Sequence, residues 1–332
     1  MRSNGKITVK NVLLTALLFL PAAAVRAQSA ASDQKGATPV ADDDTAPRPE
    51  DGKAWGLTFK QKAFFGNQDY RMSDTYLDLA APHGLDFNAD LNDYSDSTSS
   101  ASPTITFGAG WATGLVSYTG SYAITTLAND YEADALDFGL SAKTDSQDFR
   151  TLFAADVSST KHRNYTYVPP PAHPTRPAIE SEQDLTQVSP TGSVSQRLFG
   201  SFDAKATLSE STYNRNILAY TNGLNRTKTK GQQAFGRADG NLTGLIDGFP
   251  DWSVKLGLTY YFDAVPLTLR GTYQNIHLED TAQGTNATAD VTTYAADYDV
   301  KKWATVSAEY DHTRQTSQTI TDNYGLIVEL RY

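Results

Sequence analysis

Two stretches of the sequence place acidic and histidine side chains close together, as a catalytic pair that activates water would require. One is Asp311-His312, and the other is His277 with Glu279 and Asp280. A carboxylate beside an imidazole can support general acid–base chemistry. Adjacent residues of a β-strand, however, point to opposite faces, so Asp311 and His312 would not face one cavity. The pattern therefore does not indicate a catalytic site.

No group of residues has the spacing of a metal or cofactor site. Histidines are spread singly along the chain without ligand spacing, and we expect them to be solvated residues of loops or strand ends. The chain has no cysteine, which excludes disulfides and covalently attached haem. The glycine-rich run 108–114 is not followed by a helical pattern, so it predicts a strand end and a turn rather than a phosphate loop. The histidines are His83, His162, His173, His277 and His312.

From Trp55 onwards, apolar and polar residues alternate with a period of two. Val116, Tyr118, Tyr122 and Ile124, for example, alternate with serine, threonine and alanine. This period predicts strands with one apolar face, and no comparable helical pattern interrupts them. We expect an all-β fold of about sixteen strands, with fourteen as the alternative because 204–250 is ambiguous. The predicted strands are 55–65, 74–81, 85–94, 103–111, 115–125, 135–143, 149–158, 191–199, 204–214, 228–237, 240–247, 252–261, 267–277, 291–300, 302–312 and 323–332.

The connections between these strands alternate between short turns and long polar loops. We expect the long ones at 95–102, 126–134, 159–190, 278–290 and 313–322. Short turns at one end and long loops at the other are typical of a transmembrane antiparallel up-and-down β-barrel. A soluble β-sandwich is the alternative, but it has no reason to separate its connections in this way.

A proline-rich loop, 164–182 (NYTYVPPPAHPTRPAIESE), separates two of the predicted strands. Its composition favours extended polyproline structure that is stiff for its length. Such a loop could fold into the lumen, project outward as an attachment site, or simply cover the mouth.

The N-terminal residues predict export. Arg2, Lys6 and Lys10 precede the apolar run 12–25, and the small residues around Ala27 fit a cleavage site. We expect a signal peptide at 1–27, a disordered acidic linker at 28–53, and a barrel at 54–332. Without the four basic residues of 1–27, 24 basic residues remain against 38 acidic ones, a net charge of −14. This charge argues against nucleic acid as a partner.

Strand parity assigns the charged residues to the face opposite the apolar one, which in a barrel is the lumen. The assignment gives nine basic and seven acidic candidates, so we expect a nearly balanced polar lumen. The residues predicted to line it are Lys60, Lys62, Arg150, Arg197, Lys255, Arg270, Asp297, Asp299, Glu309, Asp311, Glu329 and Arg331, with Lys143, Lys205, Asp137 and Asp156 as further candidates.

The last strand carries a further motif, LIVELRY, with apolar residues at alternate positions. It resembles the C-terminal β-signal of Gram-negative outer-membrane proteins. The resemblance implies a porin-like barrel in the bacterial outer membrane, among lipid and lipopolysaccharide, whose last strand is recognised by the barrel-assembly machinery and closes against the first. The residues of the motif are Tyr324, Leu326, Val328, Leu330 and Tyr332.

We expect a pore without cofactor or enzyme activity, through which small hydrophilic solutes or ions diffuse passively. One alternative is a barrel that serves a larger assembly, either as a conduit for an exported polysaccharide or as a sheath around an electron-carrying partner. A second alternative is an outer-membrane enzyme. The sequence leaves open whether the barrel forms a homo-oligomer.

Overall fold

The computed structural model describes residues 55–67, 69–95, 103–128, 131–144, 149–168, 179–215, 249–278, 288–316 and 320–332. The expected signal peptide (1–27) and linker (28–53) lie outside these residues. Fifteen strands are described: β1 Gly56–Gly66, β2 Arg71–Ala81, β3 Leu85–Ser95, β4 Thr104–Thr113, β5 Val116–Ala128, β6 Tyr131–Lys143, β7 Thr151–Val168, β8 Ile179–Leu198, β9 Phe202–Glu210, β10 Thr212–Tyr213, β11 Pro250–Tyr261, β12 Leu267–Leu278, β13 Thr288–Lys301, β14 Ala304–Gln315 and β15 Thr321–Arg331.

The strands form a closed ring. Neighbours along the chain pair antiparallel, and β15 returns to β1 with a register from Thr58↔Arg331 to Gly66↔Asn323. On the opposite side, β9 pairs with both β8 and β11. The described ring therefore contains fourteen strands, while the two-residue β10 pairs with β8 beyond the end of β9. The predicted all-β, up-and-down antiparallel barrel is confirmed.

Several predicted boundaries differ from the structure. The expected strands 228–237 and 240–247 lie outside the described residues, and the ring closes between β9 and β11 without them. The predicted long loop 126–134 is wrong, because β5 and β6 stay paired as far as Ala128↔Tyr131. The predicted loop 159–190 is also too long, since β7 and β8 pair up to Val168↔Ile179. Of the proline-rich stretch, only 169–178 falls between these strands, outside the described residues.

The barrel has two ends, defined here by their connections. At the turn end lie the close connections β4–β5, β8–β9 and β13–β14, together with the 3₁₀ turn Pro82–Gly84 between β2 and β3. At the loop end lie the long connections between β7 and β8 and between β12 and β13, together with the short ones between β1 and β2 and between β5 and β6. Among the described residues, no helix is long and apolar enough to cross a membrane.

The two faces of the wall differ in polarity. Leu57, Leu79 and Leu256 are among many large apolar side chains exposed on one face. The other face is concave, since it allows contacts that skip a strand: Arg331 Nη1 of β15 lies 3.9 Å from Asp299 Oδ1 of β13. Because the exposed apolar residues alternate with those of the concave face, they cover the convex face, as in a barrel surrounded by lipid.

Aromatic residues form a row at each end of this convex face. At the loop end Phe65, Tyr324, Tyr310 and Tyr294 are successive register partners across four strands. Rings at these levels can lie half in lipid while their polar atoms stay wet. The loop-end row contains Phe65, Tyr122, Trp252, Tyr273, Tyr294, Tyr310 and Tyr324, and the turn-end row contains Trp55, Trp111, Tyr118, Phe149, Phe199, Tyr260, Tyr298, Trp303 and Tyr332.

Three tyrosines of the loop-end row donate their hydroxyls to aspartates of the next strand. Each aspartate lies two residues nearer the loop end than the register partner of its tyrosine. Tyr122 donates to Asp134 at 3.2 Å, Tyr273 to Asp290 at 2.6 Å, and Tyr310 to Asp322 at 2.7 Å. In each case the carboxylate lies beyond the ring on the side away from the apolar band. These Tyr–Asp pairs mark where the convex face changes from apolar to charged.

A polar group interrupts the apolar band on β1 and β2. Gln61 donates its amide to Ser73 Oγ at 3.1 Å and accepts from Thr75 Oγ1 at 2.8 Å. Since the amide and the hydroxyls bond one another, the group meets the requirement that polar atoms facing lipid be satisfied within the protein.

Apolar clusters lie on the concave face at the loop end. Phe64, Tyr70 and Ile327 pack together at the seam between β1 and β15. Phe64 lies over Gly325, where an added Cβ would clash with the Phe64 ring. Glycine at 325 is therefore required for the seam to pack.

We predict that Gly325→Ala destabilises the barrel by about 1–3 kcal/mol, because the buried Phe64 ring must shift. Unfolding in urea, followed by the loss of the heat-modifiable gel band, measures this. Gly257→Ala is the matched control, since its Cβ would meet Lys205 and Thr272 only at 3.7 Å. Equal effects of the two substitutions would contradict the account of the seam.

Candidate functional site

The lumen wall is the concave face of the ring, and strand register places the predicted lumen residues of the strands on it. Lys60, for instance, pairs with Glu329 on one side and with Tyr76 on the other. Arg150 directly precedes β7 with the same parity, and its carbonyl accepts from Arg197 N at 2.8 Å. The register shows that these residues share one face of the wall. Their role in lining a path for solutes stays a prediction. The residues on the concave face are Lys60, Lys62, Arg150, Arg197, Lys255, Arg270, Asp297, Asp299, Glu309, Asp311, Glu329 and Arg331.

The β-signal residues lie on the other face. Leu326 pairs with Ala63 and Ala308, and Tyr324 with Phe65 and Tyr310, so this row faces outward. The alternation of β15 thus turns Glu329 and Arg331 to the lumen. The outward residues of the motif are Tyr324, Leu326, Val328, Leu330 and Tyr332.

Arg197 and Asp203 form a bidentate ion pair on the concave wall. They are register partners on β8 and β9. The guanidinium donates Nε to Oδ1 at 2.9 Å and Nη2 to Oδ2 at 2.8 Å. Tyr261 of β11 donates its hydroxyl to the same Oδ2 at 2.7 Å, and Arg197 lies 5.0 Å from the centre of its ring. The pair therefore links three adjacent strands at the turn end.

A similar pair joins β12 to β13. Arg270 donates Nε to Asp297 Oδ2 at 2.8 Å and Nη2 to Oδ1 at 3.0 Å. Arg331 donates Nε to Glu329 Oε1 at 2.6 Å, and Lys62 Nζ lies 3.0 Å from Asp74 Oδ2. Fixed side chains of this kind make the lumen surface rigid, because planar guanidinium–carboxylate pairs hold a single geometry.

Five carboxylates of the concave face were missing from the predicted lumen residues. On β3, Asp86, Asn88, Asp90 and Asn92 alternate with Leu85, Phe87, Ala89 and Leu91, so the period-two signal was present in the sequence. They reverse the balance of nine predicted basic and seven acidic residues, so that carboxylates prevail. The added residues are Asp74, Asp78, Asp86, Asp90 and Asp203.

The charges of the wall are separated across the lumen. In the fourteen-strand ring, β2 lies opposite β9 and β3 lies opposite β11. Asp78 and Lys205 are each three residues from the turn end of their strands. On β3 and β11, Asp90 and Lys255 are likewise at similar heights. An acidic wall on β2 and β3 therefore faces lysines on β9 and β11.

The loop-end interior contains a buried polar cluster on β7, β8 and the β9–β10 junction. His162 lies 3.2 Å from Gln187 Oε1, and Gln187 donates to Ser189 and Ser211. The expectation that the histidines are solvated is wrong for His162, which is 1% exposed. Its ring meets Phe249 edge-on, a contact between residues far apart in sequence. No local signal could have shown this burial.

The structure separates the members of the first acid–histidine stretch and describes only the histidine of the second. Asp311 lies on the concave face, whereas His312 faces outward and bonds Asp322 at 2.8 Å. His277 also faces outward and stacks on Trp252, while Glu279 and Asp280 lie outside the described residues. Within the described ranges, no three histidine or acidic side chains form a metal-binding group.

Comparisons with known proteins give structural similarity only. No protein-family profile matches the chain, and no curated protein is significantly similar. Among solved structures, OpdK of Pseudomonas aeruginosa, crystallised with vanillate, is 9% identical with a TM-score of 0.39, over 84% of this chain and 98% of that one. A loop-deleted OmpT of Vibrio cholerae is 10% identical with a TM-score of 0.43, over 84% and 98%. A BenF-like porin of Pseudomonas fluorescens is 11% identical with a TM-score of 0.39, over 83% and 97%.

We predict that Arg197→Ala or Asp203→Ala alone destabilises the barrel by about 3–5 kcal/mol, because each leaves a partly buried charge unpaired. The double variant should cost clearly less than the sum of the two, since both charges are then gone. Urea unfolding in detergent of the unchanged protein, the two single variants and the double variant measures the coupling free energy between Arg197 and Asp203. Additive losses would show that the pair does not act as a unit.

Proposed function

We propose that the chain is an outer-membrane pore through which small hydrophilic solutes or ions diffuse passively. The observation that carries the proposal is the closed ring with an apolar convex face and a charged concave face. A soluble sandwich would bury its apolar face between sheets, whereas here that face is exposed around the whole barrel. Lipid is the surrounding medium that such a surface fits.

The polarity of the lumen supports water-filled passage rather than a packed interior. Exposed concave residues such as Lys205 and Asp156 lie in the turn-end half of the wall. Charged groups of both signs attract water and ions, and the ring size limits the solute. Small polar molecules and inorganic ions are therefore the solutes that the wall suits.

The outer side of the loop end fits the headgroups of lipopolysaccharide. Beyond Tyr122, Arg163 donates to Glu132 at 2.9 Å and also bonds Asp134. Lys161 lies 3.7 Å from Asp184 in the same outward row. Mixed charges just beyond an aromatic row suit a charged headgroup layer, and the outer membrane with its barrel-assembly machinery is the location that we propose.

Weak cation preference follows from the prevalence of carboxylates on the wall. An electric field crosses the water-filled path, because the acidic wall on β2 and β3 faces the lysines on β9 and β11. Cations would pass nearer to β2 and β3, and anions nearer to β9 and β11.

The refolded protein should give stepwise conductance in planar bilayers. A barrel that shows heat-modifiable gel migration but remains silent over repeated insertions would overturn the proposed function. A chain that never shows heat-modifiable migration would contradict the barrel itself.

Single substitutions in the lumen should move the ion preference in opposite directions. We expect Asp86→Asn to lower and Lys205→Asn to raise the cation-to-anion permeability ratio on the order of twofold. The expected size of this change follows from Coulomb's law, because a unit charge ~10 Å from a passing monovalent ion changes the free energy of that ion in water by ~0.4 kcal/mol. Reversal potentials across a KCl gradient measure the ratio, with Asp290→Asn on the convex face as control. Shifts of the same sign in both variants would contradict the assignment of these residues to opposite walls.

A further inference from the structure

The concave face is unevenly exposed around the ring. Thr119 of β5, Asp156 of β7 and Lys205 of β9 are exposed. Thr119 is the fourth residue of its strand from the turn end. Ser307, the fourth residue of β14, lies on the far side of the ring and is only 6% exposed. At this height the open space of the lumen therefore lies closer to β5 than to β14.

The concave residues of β4, β5 and β6 leave this space open because most of them are small. They are glycine, alanine, serine or threonine, apart from Asp137 and Lys143. Their hydroxyls bond along the wall: Ser117 and Ser141 lie 2.6 Å apart at Oγ, and Ser121 donates to Asp137 Oδ2 at 3.0 Å. We call the concave faces of these three strands the trench.

Two glycines of the trench let neighbouring carboxylates lie flat on the wall. A Cβ at Gly110 would clash with the Asp86 carboxylate of β3, and a Cβ at Gly139 would clash with both Asp156 Oδ1 and Thr119 Oγ1. These five residues are successive register partners on β3 to β7. A carboxylate therefore leans over the trench from each side, and the Thr119 hydroxyl lies beside that of Asp156.

The far side of the ring carries long side chains that are bonded to one another. Arg270 forms its bidentate pair with Asp297 there, and Arg331 bonds Glu329. A solute on that side would have to displace charge-assisted hydrogen bonds, whereas the trench offers small side chains and water.

We infer that solutes pass along the trench, off the axis of the barrel, and that Thr119 and Asp156 are specificity-determining residues of this path. The inference rests on the proposed pore and states where in its lumen selection occurs. The exposed groups are a hydroxyl and a carboxylate, which accept hydrogen bonds from an ammonium group. Small amines and other positively charged hydrophilic solutes are therefore the class that this position favours.

Filling the trench tests the path. In planar bilayers, full-length Thr119→Trp should lower the single-channel conductance at least about twofold, because the ring narrows the path where it is most open. Thr272→Trp is the matched control, since Thr272 is a partly exposed concave threonine of β12 on the far side of the ring. It should lower the conductance clearly less, and equal losses would overturn the off-axis path.

A smaller change keeps this test open if heat-modifiable migration shows that either tryptophan variant does not fold. Because the chain has no cysteine, Thr119→Cys places a single thiol in the lumen. A cationic methanethiosulfonate reagent, added after insertion, should lower the conductance in one step. The same reagent should act clearly less on Thr272→Cys, and an equal response of the two thiols would contradict the inference.

The role of Asp156 is tested by charge removal at matched height. Asp156 and Glu309 are each the sixth residue of their strand from the turn end, on opposite sides of the lumen. Asp156→Asn should lower the cation-to-anion permeability ratio about two- to fourfold, and Glu309→Gln should lower it less, because the effect of a charge falls with its distance from the ion. Equal shifts would overturn the inference but leave the pore intact. Silence of the unchanged protein in bilayers would overturn the pore itself.

Discussion

Every strand edge that crosses the apolar band of this protein must find a partner strand, and the rest of the structure depends on that constraint. In hydrocarbon an unpaired N–H or C=O group has no water to bond, so an open sheet cannot cross a membrane. The ring meets the constraint by pairing β15 with β1 and β9 with β11. Closure in turn separates two environments, and the alternation of each strand distributes apolar and charged residues between them.

Closure also brings together charges that are distant in sequence. Asp203 of β9 bonds Tyr261 of β11, although no described strand lies between residues 214 and 249. The bidentate pairs on β8–β9 and β12–β13 stand on the concave face, where neighbouring carboxylates and guanidinium groups bond each other. A wall of this kind is polar and yet rigid, which suits a lumen that must stay open.

The sequence predicts this fold well where one face of a strand is apolar. The sequence predicts β4 and β5 because Phe107, Trp111, Tyr118 and Tyr122 alternate with small or polar residues. At the loop end the strands continue beyond the apolar band, as at Ala128↔Tyr131, although the polar residues there predict loops. Backbone pairing needs no apolar face, so polarity alone does not mark where a strand ends.

The candidate site was predictable in part for the same reason. Parity assigns Arg270 and Asp297 to one face, but their pairing depends on register, which the sequence does not give. Burial cannot be predicted either, because His162 is covered by Phe249, which is far away in the chain.

The Tyr–Asp pairs of the loop-end row have a mechanical consequence. They stand on β5–β6, β12–β13 and β14–β15, at three places around the ring. A downward slide towards the turn end would carry their carboxylates into hydrocarbon, and an upward slide would lift apolar rows into water. A tilt would do both at once, on opposite sides of the cylinder. In a membrane, the Tyr–Asp pairs would therefore oppose both vertical displacement and tilt of the barrel.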